Sequence, residues 1–290
     1  MFRFASRGAV EYLEADGISA LGFVEHAFCT RRGGVSAGPF ASLNAGLRAG
    51  DREEDVRRNL AIVGEAFAIP HGNLVLMGQV HGERIRVIDS DEPPPAWVPE
   101  CDGLITARPG VALGVKTADC VPLFFVDRVR RVVGAAHAGW RGTALGMAAK
   151  MVDAFVGGFA SRPEDILAIV GPAVGPCCYQ VDAPVHAALA AHAGADRFLR
   201  PCRDEGRWML DLALANRLQV EERGVPEANI HTVDLCTACR HELFFSHRAS
   251  GGRSGRQVNF LMLRAATVEK MLDSGVRFGI EGNQNEKGPC

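Results

Sequence analysis

Five short apolar runs, at residues 74–77, 85–88, 111–116, 121–126 and 132–136, follow one another through the middle of the chain. Each has the length of a strand, is rich in β-branched residues and has Gly, Asp or Pro near its ends. Further strands are expected at 166–170, 231–234 and 257–263. Between Asp51 and Ala68 the period changes. Val56, Leu60, Val63 and Phe67 fall at helical spacing, with Asp51 as a candidate N-cap and acidic residues in the first turn. Helical patterns return at 143–156, 183–193 and 212–223, the last closed by Gly224 and Pro226. Strands cluster and helices are interspersed without strict βαβ alternation. The expectation is an α/β (α+β layered) fold of mixed β-sheets with flanking helices.

No period between 20 and 50 residues recurs, which removes solenoids and propellers. Residues 89–99, where acidic residues run into Pro93, Pro94 and Pro95, read as a surface loop inside one domain. The whole chain, 1–290, is expected to be a single domain, with a polar tail at 281–290 that frays. At 290 residues and 47% hydrophobic content it needs no disulfide staples to bury a core. Its 32 Lys and Arg against 34 Asp and Glu leave no global basic field for nucleic acid or an anionic membrane. Small molecules are the expected partners, and a monomer or homodimer the expected state. The N-terminus has no apolar signal core, and no stretch is apolar for long enough to span a bilayer. A cytoplasmic location with reduced thiols is therefore expected for the nine cysteines.

Three segments place metal-competent residues at strand ends: Gln79-Val80-His81-Gly82, Thr117-Ala118-Asp119-Cys120 and His137-Ala138-Gly139-Trp140-Arg141. Two imidazoles and a thiolate suit zinc and leave a fourth tetrahedral position for water or substrate. The competing reading of each residue is a satisfied structural side chain. Cys236-Thr237-Ala238-Cys239 has the spacing of a zinc knuckle, but no second CxxC accompanies it, so these two read as structural thiols. Cys177 and Cys178 read as a tight turn whose adjacent side chains diverge. His81-Gly82-Glu83 matches half of a zinc deaminase signature, the other half being absent. Arg31-Arg32-Gly33-Gly34, Arg141-Gly142-Thr143 and residues 251–256 combine Gly with Arg as anion-binding turns do. No GxGxxG or GxxxxGK[ST] is present, so nucleotide-cofactor folds have no support.

An ordered series of motifs then resembles one family. It runs His26-Ala-Phe-Cys-Thr-Arg31-Arg-Gly-Gly34-Val-Ser36, Ser42-Leu-Asn44, Gln79-Val-His81-Gly, Asp102-Gly-Leu-Ile-Thr106, Thr117-Ala-Asp-Cys120 and Ala136-His137-Ala-Gly-Trp-Arg141-Gly-Thr143. It continues through Gly175-Pro-Cys177-Cys178-Tyr179, Cys236-Thr-x-Cys239, Phe244-Phe-Ser246 and Gly255-Arg256-Gln-Val-Asn259-Phe260. The series, over about residues 23–263, resembles the YfiH family, also labelled laccase-domain multicopper polyphenol oxidase, peptidoglycan editing factor and purine nucleoside phosphorylase. The resemblance implies a single-domain, cysteine-hydrolase-like fold with zinc on His81, Cys120 and His137, copper being the alternative metal. It also implies phosphorolysis of adenosine, inosine and methylthioadenosine, and deamination of adenosine.

Three mechanistic classes stay open on the sequence. The first is a zinc enzyme acting on purine nucleosides and phosphate, with Asp119 or Glu83 as acid/base and with Arg31, Asn44 and Arg141 as anion and ribose contacts. The second is a thiol hydrolase, with Cys120 activated by His137, acting on amides such as cell-wall precursor peptides. The third is a metal-stabilised binding protein. A copper-dependent polyphenol oxidase is disfavoured, because the paired H-x-H motifs of a trinuclear copper cluster are missing.

Overall fold

A computed structural model of the chain describes residues 1–90 and 92–265. The N-terminal third contributes β1 (Phe2–Arg7), β2 (Val10–Ala15), β3 (Val24–Cys29) and the helix Glu53–Ala66. Then come β4 (Leu74–Met77), β5 (Ile85–Val87), β6 (Trp97–Val98), β7 (Gly103–Thr106), β8 (Ala112–Thr117), β9 (Val121–Asp127) and β10 (Val132–Ala138). The helices Trp140–Ala144 and Met147–Phe159 lead to β11 (Ile166–Val170), β12 (Gln180–Val181), β13 (Leu199–Pro201) and β14 (Trp208–Leu210). The helix Leu212–Glu222, β15 (Ile230–Thr232) and β16 (Gln257–Leu263) complete the described elements on which the site depends.

One mixed sheet has the order β1-β2-β3-β16-β8-β4-β6, and a second has β15-β11-β9-β10-β7-β5. They pack face to face. Phe28, Val75, Leu113, Val115 and Leu261 of the first meet Leu104, Phe124, Val126, Val133 and Ile169 of the second. Across that interface Phe28 and Phe124 stack with ring centroids 4.4 Å apart. The alternate residues of the central strands point outward and are covered as well. Leu123, Phe125, Ala136 and Ala168 pack under Met151, Val152, Phe155 and Val220 of two helices. On the far side Tyr12, Phe260 and Met262 pack under Val63 and Phe67. The result is four layers, helix, sheet, sheet, helix. Strands buried on both faces have no polar side, which is why their sequences are continuous apolar runs rather than alternating ones.

The sequence expectations need correction at several ends. The helix expected over 143–156 is two helices broken at Gly146, whose φ of 80° is left-handed. The helix expected over 183–193 stops at Leu189. Asp51 does not cap its helix, since Ser36 Oγ and Asn44 Nδ2 donate to its carboxylate at 2.6 and 2.9 Å. The loop read at 89–99 contains β6, and the strand expected at 231–234 is β15. The tail at 281–290 lies outside the described residues. Among the described residues no helix is long and apolar enough to cross a membrane.

His26 on β3 is buried, and its Nε2 accepts the Ala15 N–H of β2 at 2.8 Å. Burial first, then Arg264 and Arg7, push its pKa down to about 3. The imidazole stays neutral in the fold and charges in the unfolded chain below pH 6.5, so acid favours unfolding from there down to about pH 3. At about 1.4 kcal/mol per unit, this one group accounts for roughly 2 kcal/mol of lost stability by pH 5. His26→Gln, whose amide oxygen can accept the same N–H, is expected to flatten the urea-midpoint profile between pH 5 and 7. An unchanged slope would remove His26 as the cause.

Candidate active site

Between β4 and β9 the chain alternates between the two sheets, and three of its connections run from the first sheet to the second. The β4–β5 connection carries His81, the β6–β7 connection carries Asp102, and the β8–β9 connection carries Cys120. All three meet at one end of the sandwich, where β10 presents His137. The backbone there is shaped for the site. His81 and Asp119 have φ of 59° and 91°, left-handed values that non-glycine residues hold only when their surroundings over-determine them.

His81 Nε2 lies 3.9 Å from Cys120 Sγ, and the two imidazoles are 4.8 Å apart at 80°. One ligand atom from each of His81, Cys120 and His137 lies within 4.8 Å of the others. A Cβ at Gly139 would stand 3.0 Å from Cys120 Sγ and 3.0 Å from His81 Cδ2, so glycine keeps the space against these donors clear. His₂Cys with a cleared approach fits a single zinc or copper ion. The chain thus has the means to hold a metal there.

Asp102, fully buried, organises the donors. It accepts the N–H groups of Val80, His81 and Gly82 at 3.1, 3.1 and 2.8 Å, and its Oδ1 lies 2.8 Å from His137 Nδ1. That contact leaves His137 Nε2 to face the cluster. Burial alone would raise the Asp102 carboxyl, but His137 and the backbone donors hold it below its usual range. Burial likewise raises Cys120, and the two histidines overcome it, bringing the thiol down to about 6. Burial would lower His137, yet the neighbouring Cys120 and Asp102 raise it to about 9. Each of the two groups thus favours the charged form of the other.

His81, Cys120 and His137, but not the buried Asp102, line a cavity of about 1270 Å³ whose lining includes residues from both sheets. Arg48, Lys116, Arg141, Arg248 and Arg256 line it, against the acidic Glu100 and Asp119. Arg141 is exposed over the Trp140 ring at 4.2 Å, and among the described residues its guanidinium has no hydrogen-bond or ion-pair partner. Lys116, half-buried, donates to Met77 O at 2.9 Å, and burial brings its pKa down to about 8.

The other residues singled out in the sequence are placed differently. Asp119 lines the cavity, but Thr237 Oγ1 and the Arg248 N–H donate to its two oxygens, both at 2.6 Å. Glu83 pairs with Lys150 outside the cavity lining. Arg31 donates to Ala41 O and His241 O and stacks on Phe245, away from this cavity. Asn44 is buried behind the wall, its Oδ1 accepting Gly46 N and Arg256 N at 2.9 and 2.8 Å. Asp102, Arg48, Lys116, Arg248 and Tyr179 had not been singled out for roles. Asp102 and Tyr179 carry one signal, their place in the matched motif series.

The four cysteines read as a divergent pair and an unaccompanied pair are placed together. Cys177 and Cys178 do not diverge, and Cys236 and Cys239 do not lack companions. All four sulfurs lie within 4.8 Å of one another, because a tight turn at Gly175 and a bridge from Ala173 to Cys236 bring distant segments together.

The sequence matches the family model described as multi-copper polyphenol oxidoreductase laccase over residues 25–264, and the chain belongs to that family. Among its relatives is the purine nucleoside phosphorylase YlmD of Geobacillus stearothermophilus, 44% identical over 240 residues, covering 80% of this chain and 87% of that protein. Human purine nucleoside phosphorylase LACC1 is 32% identical over 250 residues, 82% of this chain and 55% of the human protein. The crystal structure of Geobacillus YlmD superposes with a TM-score of 0.85 at 39% identity, covering 91% and 99% of the two chains. That of the Bacillus licheniformis hypothetical protein YfiH gives 0.83 at 36% identity, covering 90% and 99%. The YfiH-type fold expected from the motifs is thereby shown.

Proposed function

We propose that the chain is a zinc-dependent purine nucleoside phosphorylase acting on adenosine, inosine and methylthioadenosine, with adenosine deaminase activity at the same centre. The observation that carries this reading is a His₂Cys donor set at the floor of a cavity lined by five cationic side chains. The relatives named purine nucleoside phosphorylase support it.

His81, Cys120 and His137 would hold the metal, which when bound would supply Lewis acidity at this end of the cavity. Arg141 receives phosphate, its guanidinium being unpaired and four residues from His137. Arg48 and Arg248 add positive potential along the path of the anion. Tyr179 and Trp140 offer aromatic surface to a purine. Asp119, with both oxygens engaged, fixes the turn that presents Cys120. Asn44 acts from behind the wall, by holding Gly46 and Arg256 in place.

The test is release of hypoxanthine from inosine plus phosphate by the metal-loaded protein, with loss on chelation and recovery on adding zinc. No release would reject the reading. Asp102→Asn, which leaves the direct donors intact, is expected to weaken zinc binding and kcat/KM by roughly 10- to 100-fold. Competition with a chromophoric chelator checks the first and a nucleoside assay the second.

A second reading rests on a different observation. Cys120, His137 and Asp102 form a thiolate, imidazole and carboxylate series, as a thiol hydrolase uses, with an amide such as a cell-wall precursor peptide as substrate. Such an enzyme keeps its activity when metal is removed. The copper oxidase reading has the description of the family model behind it, but neither donor cluster among the described residues carries the paired histidines of a trinuclear copper site.

A further inference from the structure

We propose that Cys177, Cys178, Cys236 and Cys239 form a second metal site, which binds one zinc ion through four sulfurs and fastens together two loops of the cavity wall. The four sulfurs lie within 4.8 Å of one another, with Cys177 Sγ and Cys178 Sγ 3.5 and 3.4 Å from Cys239 Sγ. A tetrahedron built on zinc–sulfur bonds of about 2.3 Å has edges of roughly 3.8 Å, close to these separations. A disulfide requires a sulfur–sulfur distance near 2.05 Å, and Cys239 stands nearly midway between two possible partners rather than against one. An iron–sulfur cluster also takes four thiolates, but its additional metal and sulfide atoms spread them further than a single ion does.

Backbone hydrogen bonds shape the arrangement. The N–H groups of Cys178 and Tyr179 both donate to Gly175 O at 3.0 Å, a turn tight enough for consecutive cysteines to share one side. The Thr237 N–H donates to Ala173 O at 2.9 Å, bringing the CxxC segment alongside that turn. The N–H groups of Gly175 and Cys239 point at Cys236 Sγ from 3.2 and 3.5 Å, donors that favour a thiolate there. Gly175 leaves room for the donors: a Cβ there would fall 3.1 Å from Cys236 Cβ and 3.4 Å from Cys177 Sγ. Cys177 and Cys239 are exposed, giving an ion from solution a route in.

The consequence reaches the cavity. One loop carries Tyr179, and the other carries Thr237 and leads to Arg248, which between them grip both oxygens of Asp119 beside Cys120. Zinc on the four thiolates, with release of their protons, ties these loops at one point. Its role is structural, since four protein sulfurs leave no open position for substrate.

Zinc content of the full chain, purified with reductant and loaded with zinc alone, tests the site. The wild type is expected to hold two ions per chain, and Cys120→Ala and Cys239→Ser one each. X-ray absorption at the zinc edge of Cys120→Ala should show four sulfurs at about 2.3 Å and no imidazole. If Cys239→Ser does not fold, Cys177→Ser, at an exposed position, takes its place. Thiol labelling of the wild type is a separate measure, with these four cysteines protected by zinc and exposed by chelation. If the His₂Cys centre takes no metal, the wild type will hold one zinc with an all-sulfur shell, which sustains this proposal while rejecting the other. Zinc-free Cys120→Ala overturns it, as does a disulfide within the four, seen as a mass two hydrogens lower after trapping of free thiols.

Discussion

Cys120→Ala is expected to remove one metal ion from the chain and to lower inosine phosphorolysis by more than about 10³-fold, the several kcal/mol that a Lewis-acid metal contributes. The thiol lies beside His81 and is paired electrostatically with His137, so its loss leaves two imidazoles that cannot close a three-donor site. Loss of activity alone does not separate a metal ligand from a nucleophile. Cys120→His does, because it restores a donor while abolishing the thiol. On the metal reading it recovers a measurable fraction of zinc binding and phosphorolysis, provided the space beside Gly139 admits the larger ring. On the thiol reading it recovers nothing. Wild-type protein that keeps full activity after exhaustive chelation would reject the metal reading outright.

Arg141→Ala is expected to lower phosphorolysis of inosine by roughly 10- to 150-fold and deamination of adenosine much less, since a charge-assisted hydrogen bond contributes about 1.5–3 kcal/mol. The asymmetry follows from chemistry, because only phosphorolysis needs a bound anion. The side chain is exposed, stacked on Trp140 and without another partner among the described residues, so its removal leaves no buried group unsatisfied there. The effect should appear chiefly in the KM for phosphate and weaken with added salt. Equal losses in both reactions would make Arg141 a structural residue.

The middle of the sandwich was legible because β8 to β11 are buried on both faces and leave uninterrupted apolar runs. The N-terminal strands β1 and β2 were not, since the edge of the sheet carries Arg3, Glu11 and Glu14 among its apolar residues. The donors His81, Cys120 and His137 were legible by residue type and by family resemblance. Asp102 was only half legible, because its work is to gather backbone N–H groups from a connection twenty residues away. The four-cysteine cluster was missed for a related reason. Its pairs are separated by some sixty residues and meet through backbone bonds that spacing does not reveal. Arg31 and Asn44 look like anion and ribose contacts in sequence, yet their polar atoms are spent inside the fold.

The three connections from one sheet to the other make chemistry and folding share a free energy. An ion bound by His81, Cys120 and His137 holds two connections and a strand, so the sheets cannot separate at that end without releasing it. A ligand at a hundred times its dissociation constant stabilises the native state by about 2.7 kcal/mol. Here that increment falls on the seam rather than on a surface loop. Opening along β8 and β9 becomes rarer as the site fills, and amide exchange in those strands slows in proportion to occupancy. Anything that slides one sheet past the other, from a distant core substitution to high pressure, would register first as a change in metal affinity.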